Sequence, residues 1–246
     1  MRNISCRKDF ENRDAWSDKL NVSWNGGGTF RAIDEHDVFL VQRDYAELVQ
    51  VHGYNTDARN VYDAYRSNSV MAAEEGIARQ VTGFLWPGLG VTWLESFLFH
   101  KAQRYADASA PHFAKYVQDY AGQKLAVMTH SLGARVALQA IRQFKIHVDV
   151  LALTGPAVDW NCFEPGKGYD ECLPYVGKLL VFYSNDDPVL GHAYMDDQFM
   201  EALGCKGLKT PIAGITAVDM TSTVKAHGDY RYDRAMWRTI RDAVPS

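Results

Sequence analysis

Leu125-Ala126-Val127-Met128-Thr129-His130-Ser131-Leu132-Gly133-Ala134-Arg135-Val136-Ala137-Leu138 joins two elements with almost nothing between them. The first half is a short apolar run, consistent with a buried strand. From Leu132 to about Phe144 the chain reads as a helix. Leu132, Val136, Ile141 and Phe144 fall near one helical stripe, and good helix formers fill the gaps. Only His130 and Ser131 remain for the connection, so the chain must turn sharply at Ser131. Residues two before and two after such a turn must be small, because strand and helix pack closely there. Gly133 meets this; Thr129 is compact but is not glycine.

A serine on a turn of this kind is pushed clear of the backbone, and it sits where unpaired amides at the start of a helix favour negative charge. That is the geometry of a nucleophile elbow. A serine that merely N-caps an ordinary helix is the competing reading.

On either side of this stretch, strands and helices alternate. Upstream, Ala46–Val51 reads as a strand that runs into His52-Gly53-Tyr54-Asn55, and a helix follows over about 58–75. Residues 78–85 form a strand ending at Trp86-Pro87-Gly88, and 101–120 are helical. Downstream, Val148–Leu153 and Lys178–Tyr183 are apolar strands. Residues 192–203 read as a helix, Ile212–Val218 as a last strand, and Tyr230–Ala243 as a closing helix. Thr29–Ile33 and Asp37–Val41 look like a hairpin on an antiparallel edge. Residues 1–28, polar and ending in Gly26-Gly27-Gly28, are expected to be peripheral. The pattern calls for an α/β fold with a mostly parallel central sheet, helices on both faces and an antiparallel N-terminal edge. With no repeat or linker in sight, residues 1–246 are expected to form one domain.

Composition narrows the function classes. At 47% hydrophobic, the 246-residue chain has material for a sizeable core. A net charge of −4 gives no electrostatic case for nucleic acid. No run of about 18 apolar residues exists, so no membrane span is expected. Residues 1–9 lack the apolar core of a signal peptide, which points to a cytoplasmic protein. Cys6, Cys162, Cys172 and Cys205 form no metal-ligand or redox pair. Cys162 and Cys172 share a Gly/Pro-rich loop where pairing is conceivable, but free thiols are expected in a cytoplasm. No cofactor or metal is called for, and oligomeric state is not readable.

Three polar positions fall at the carboxyl ends of predicted strands, where open α/β sheets place ligands. They are Ser131, the Asp186/Asp187 pair and His227. Serine needs a base to remove its proton, and imidazole titrates near neutrality. A carboxylate then holds the imidazole in one tautomer.

On His52-Gly53-Tyr54-Asn55, Trp86-Pro87, Thr129-His130-Ser131-Leu132-Gly133, Asp187-Pro188-Val189 and His227-Gly228-Asp229-Tyr230, the sequence resembles the serine α/β-hydrolases over about residues 46–242. The resemblance implies the α/β-hydrolase fold and a triad of Ser131, Asp187 and His227. It favours Asp187 over Asp186, because the acid usually opens an Asp-x-Val segment. It places oxyanion donors at the N–H groups of Tyr54 and Leu132. His130 is expected to be structural. The expected reaction is cleavage of a carboxylic ester with an apolar group through an acyl-enzyme. Acyl transfer and thioester cleavage use the same constellation, and a non-catalytic binding protein is the alternative from another class. Residues 86–120 read either as core packing or as a lid or pocket wall; in the second case Trp86, Trp93 and Phe97 line the substrate pocket.

Overall fold

The computed structural model describes residues 1–8, 15–24, 31–32, 46–54, 58–78, 80–88, 99–194 and 200–245. In chain order the strands are β1 (Arg2–Arg7), β2 (Trp16–Trp24), β3 (Arg31–Ala32), β4 (Ala46–Val51), β5 (Gln80–Leu85), β6 (Lys124–His130), β7 (Val148–Thr154), β8 (Val176–Tyr183) and β9 (Ile215–Asp219). The α-helices are α1 (Ala58–Glu74), α2 (Phe99–Tyr120), α3 (Gly133–Phe144), α4 (Leu203–Lys206) and α5 (Arg234–Ala243).

The described strands form one nine-stranded sheet in the order β3-β2-β1-β5-β4-β6-β7-β8-β9. From β1 to β9 every neighbouring pair is parallel, while β1–β2 and β2–β3 are antiparallel. Alternation along β6 splits the core. Leu125 and Val127 face a cluster with Ala110 and Phe113 of α2 and Val136 and Leu138 of α3. Ala126 and Met128 face the other side, with Ala72 of α1 and Met236, Trp237 and Ile240 of α5. Helices thus cover both faces, as the apolar runs of β6, β7 and β8 require. No described helix is long and apolar enough to cross a membrane.

The N-terminal expectation needs correction. Residues 2–7 are not peripheral: β1 is buried and lies inside the sheet, between β2 and β5. Its polar side chains are tolerated there because they are paired. Arg2 contacts the Glu47 carboxylate at 2.7 Å, with both side chains buried. The same carboxylate oxygen accepts hydrogen bonds from Tyr116 Oη at 2.6 Å, Thr82 Oγ1 at 2.5 Å and Gln80 Nε2 at 3.0 Å. Its other oxygen accepts from the Gly122 amide at 2.8 Å. One carboxylate therefore ties β1, β5, α2 and the α2–β6 turn to β4. Truncating one partner of such a pair strands the other charge in the interior. Glu47→Ala is expected to lower unfolding free energy by about 3–5 kcal/mol, measured by urea denaturation.

The antiparallel edge is present, but β3 pairs with β2; residues 33–41 of the expected hairpin lie outside the described residues. The helix expected over 192–203 is also different. A π-helix spans Val189–Tyr194, residues 195–199 lie outside the described residues, and α4 covers Leu203–Lys206. The closing helix begins at Arg234, where the Asp233 side chain accepts from the Met236 amide at 2.9 Å.

Candidate active site

Ser131 has φ 54°, a left-handed conformation in which a non-glycine residue is strained. It lies between the last residue of β6 and the first of α3, and its amide donates to the Thr154 carbonyl of β7 at 3.0 Å. The turn is as abrupt as the sequence demands. A Cβ on Gly133 would stand 2.5 Å from the carbonyl oxygens of both Val51 and His52, so only glycine lets α3 approach the end of β4. Thr129 fits without glycine: it is buried, and its hydroxyl has no partner among the described residues.

Asp187 follows β8, and its carboxylate is fully buried. One oxygen accepts the amides of Val189 and Leu190, at 3.0 and 3.1 Å, and so caps the π-helix. The other lies 2.7 Å from His227 Nδ1. Because the carboxylate only accepts, Nδ1 carries the proton and Nε2 is left as a base. The neighbouring Asp186 is half-exposed and paired with Lys225 at 2.7 Å. The His227 ring reaches Asp187 across the ends of β8 and β9, a contact between residues 40 apart in sequence.

His130 holds this loop. Its Nε2–H donates to the His227 carbonyl at 2.8 Å, and the two rings lie 4.6 Å apart. Burial, and then the charge on His227, push the His130 pKa down to about 3. The ring is therefore neutral near pH 7.

The His52-Gly53 turn packs directly on the elbow. A Cβ on Gly53 would stand 2.9 Å from Ser131 Cβ. Tyr54 therefore follows a residue in contact with the serine, and Leu132 sits at the N-cap of α3, where the first amides lack intrahelical acceptors. The Tyr54 ring meets Phe99 edge-on at 6.3 Å, and Phe99 meets Tyr194 edge-on at 5.4 Å. This aromatic row joins the His-Gly turn, the start of α2 and the end of the π-helix.

Trp86 is corrected as a pocket residue. It is fully buried, stacks on His52 at 5.4 Å, and its indole N–H donates to the His52 carbonyl at 2.8 Å. It supports the turn from below. Trp93 and Phe97 lie outside the described residues. Cys162 and Cys172 are free and buried, as are Cys6 and Cys205.

A family model described as "Alpha/beta hydrolase of unknown function (DUF900)" matches residues 36–225. Among solved structures, the chain is similar to a predicted CIB-like hydrolase from Thermoplasma acidophilum, with 16% identity, 87% of this chain and 89% of that chain covered, and a TM-score of 0.48. It is also similar to Aspergillus fumigatus lipase B, with 11% identity, 93% and 62% coverage and a TM-score of 0.48. A third likeness is to an esterase of Rhizomucor miehei, with 15% identity, 94% and 79% coverage and a TM-score of 0.43. None of the curated proteins matches the sequence.

Proposed function

Because the chain belongs to a family of α/β-hydrolases, matched over residues 36–225, we propose that it is a serine hydrolase that cleaves carboxylic esters through Ser131, His227 and Asp187. The observation that carries this reading is a strained serine at a helix N-terminus, on the same sheet edge as a histidine paired at 2.7 Å with a buried carboxylate.

In the proposed reaction Ser131 Oγ attacks the ester carbonyl carbon while His227 Nε2 takes the hydroxyl proton. The carbonyl oxygen becomes an oxyanion and receives the N–H groups of Tyr54 and Leu132. Asp187 stabilises the imidazolium. Collapse of the intermediate breaks the bond to the leaving oxygen, which takes the proton from His227 and departs as an alcohol. Water, deprotonated by His227, then attacks the acyl-serine; the acid leaves and Ser131 recovers its proton. The partly buried Tyr54 and Phe99 rings, in edge-on contact beside the His-Gly turn, favour an apolar or aromatic group on the substrate.

The test is hydrolysis of p-nitrophenyl esters with acyl chains from two to twelve carbons. Turnover above the Ser131→Ala background is expected, with a preference for short to medium chains. An absence of turnover across the series would contradict ester cleavage.

A further inference from the structure

Arg7 lies at the end of β1, far in sequence from every residue of the proposed triad, and it is fully buried. A buried guanidinium is costly unless its donors are used. Its Nε–H donates to the Trp86 carbonyl at 2.9 Å, and a terminal nitrogen lies 3.3 Å from His52 Nε2. The pairing of β1 with β2 shifts register between Ser5 and Arg7, a local irregularity of the kind that re-aims a side chain.

His52 can satisfy its neighbours in one protonation state only. The Trp86 amide, a donor, lies 3.2 Å from Nε2, and Arg7 brings a second donor to the same atom. The Gly53 carbonyl, an acceptor, lies 2.8 Å from Nδ1. Nε2 must therefore be bare and Nδ1 protonated. Burial, followed by the charge of Arg7, holds the His52 pKa well below its ordinary value, so the ring remains neutral. The consequence reaches the next peptide. In a trans peptide the carbonyl and the following N–H point in opposite directions. Holding the Gly53 carbonyl against His52 turns the Tyr54 N–H away from it. That amide is one of the two proposed oxyanion donors, on a turn whose Gly53 already touches Ser131.

We propose that Arg7 is a positioning residue for the ester cleavage proposed above: through the His52 tautomer it fixes the Gly53–Tyr54 peptide, and so the aim of the oxyanion donor. This rests on the serine-hydrolase reading. Arg7 touches no reacting atom, and its influence falls on the transition state rather than on substrate binding.

The experiment combines side-chain ¹⁵N NMR of His52 with kinetics on p-nitrophenyl butyrate, for the full chain and for Arg7→Met and Arg7→Lys. In the unaltered protein His52 is expected to show a protonated Nδ1 and a bare Nε2. Arg7→Met is expected to introduce an Nε2–H population and to lower kcat about 10- to 100-fold, short of the loss seen when an oxyanion donor is deleted, with KM nearly unchanged. Arg7→Lys, which keeps the cation, is expected to restore the tautomer and most of kcat. A protonated Nε2 in the unaltered protein overturns the proposal, and that spectrum decides even if Arg7→Met does not fold. So does a folded Arg7→Met with unchanged tautomer or unchanged kcat, and so does an Arg7→Lys variant as impaired as Arg7→Met. If the unaltered protein cleaves no ester but the tautomer responds to Arg7 as described, the ester reading fails and the hold of Arg7 on His52 stands.

Discussion

Replacing Ser131 with alanine is expected to lower kcat for ester cleavage by about 10⁶, and His227→Ala by a similar factor, with the double variant scarcely worse than either. In the proposed mechanism Ser131, His227 and Asp187 act as a unit. Without the hydroxyl no acyl-enzyme forms. Without the imidazole the hydroxyl keeps its proton and is a poor nucleophile. What remains is catalysis by amide donors and substrate positioning, which need neither side chain. The fold should tolerate both changes. Ser131 already has a strained φ of 54°, so a smaller side chain there adds no clash, and the His227 backbone keeps its carbonyl bond from His130. Rates on p-nitrophenyl butyrate, beside circular dichroism of each variant, check the expectation. A multiplicative loss in the double variant would show that the two residues act independently and would contradict a shared proton transfer.

Asp187→Asn is expected to cost about 10⁴ in kcat with little change in KM. An amide at this position still offers an oxygen to the Val189 and Leu190 amides, so the π-helix keeps its cap. The NH₂ group then faces His227 Nδ1. The imidazole responds by protonating Nε2 instead, and a ring in that tautomer cannot accept the serine proton. Asp186→Asn is the control: its side chain is half-exposed and paired with Lys225, and surface pairs of this kind contribute about 0–1 kcal/mol. Activity near that of the unaltered protein is expected there. Equal losses in the two variants would remove the assignment of the acid.

Much of this arrangement was legible in the sequence because the decisive signals are local. The apolar runs of β6, β7 and β8 declare buried parallel strands, and the want of loop residues between β6 and α3 forces the sharp turn at Ser131. The family resemblance singles out Asp187 by its Asp-x-Val pattern, and Asp187 is the carboxylate that lies 2.7 Å from His227 Nδ1. The failures have a common physical origin in long-range pairing. Residues 2–7 read as peripheral because the N-terminal stretch is polar with few apolar anchors, yet the groups that neutralise or satisfy Arg2 and Arg7, namely Glu47, His52 and Trp86, lie far along the chain. Trp86 looked like a pocket aromatic, but its indole N–H finds its acceptor in the buried His52 carbonyl. The helix after β8 starts earlier than its sequence suggests because its first amides are capped by the Asp187 carboxylate. Arg7 had no local signal of any kind.

The most direct test of the central claim is covalent labelling by a fluorophosphonate, located by mass spectrometry of the digested protein. A single adduct on the peptide containing Ser131 is expected, absent in Ser131→Ala and much slower to form in His227→Ala. No adduct, or an adduct on another residue that persists in Ser131→Ala, would contradict the assignment of Ser131 as the nucleophile.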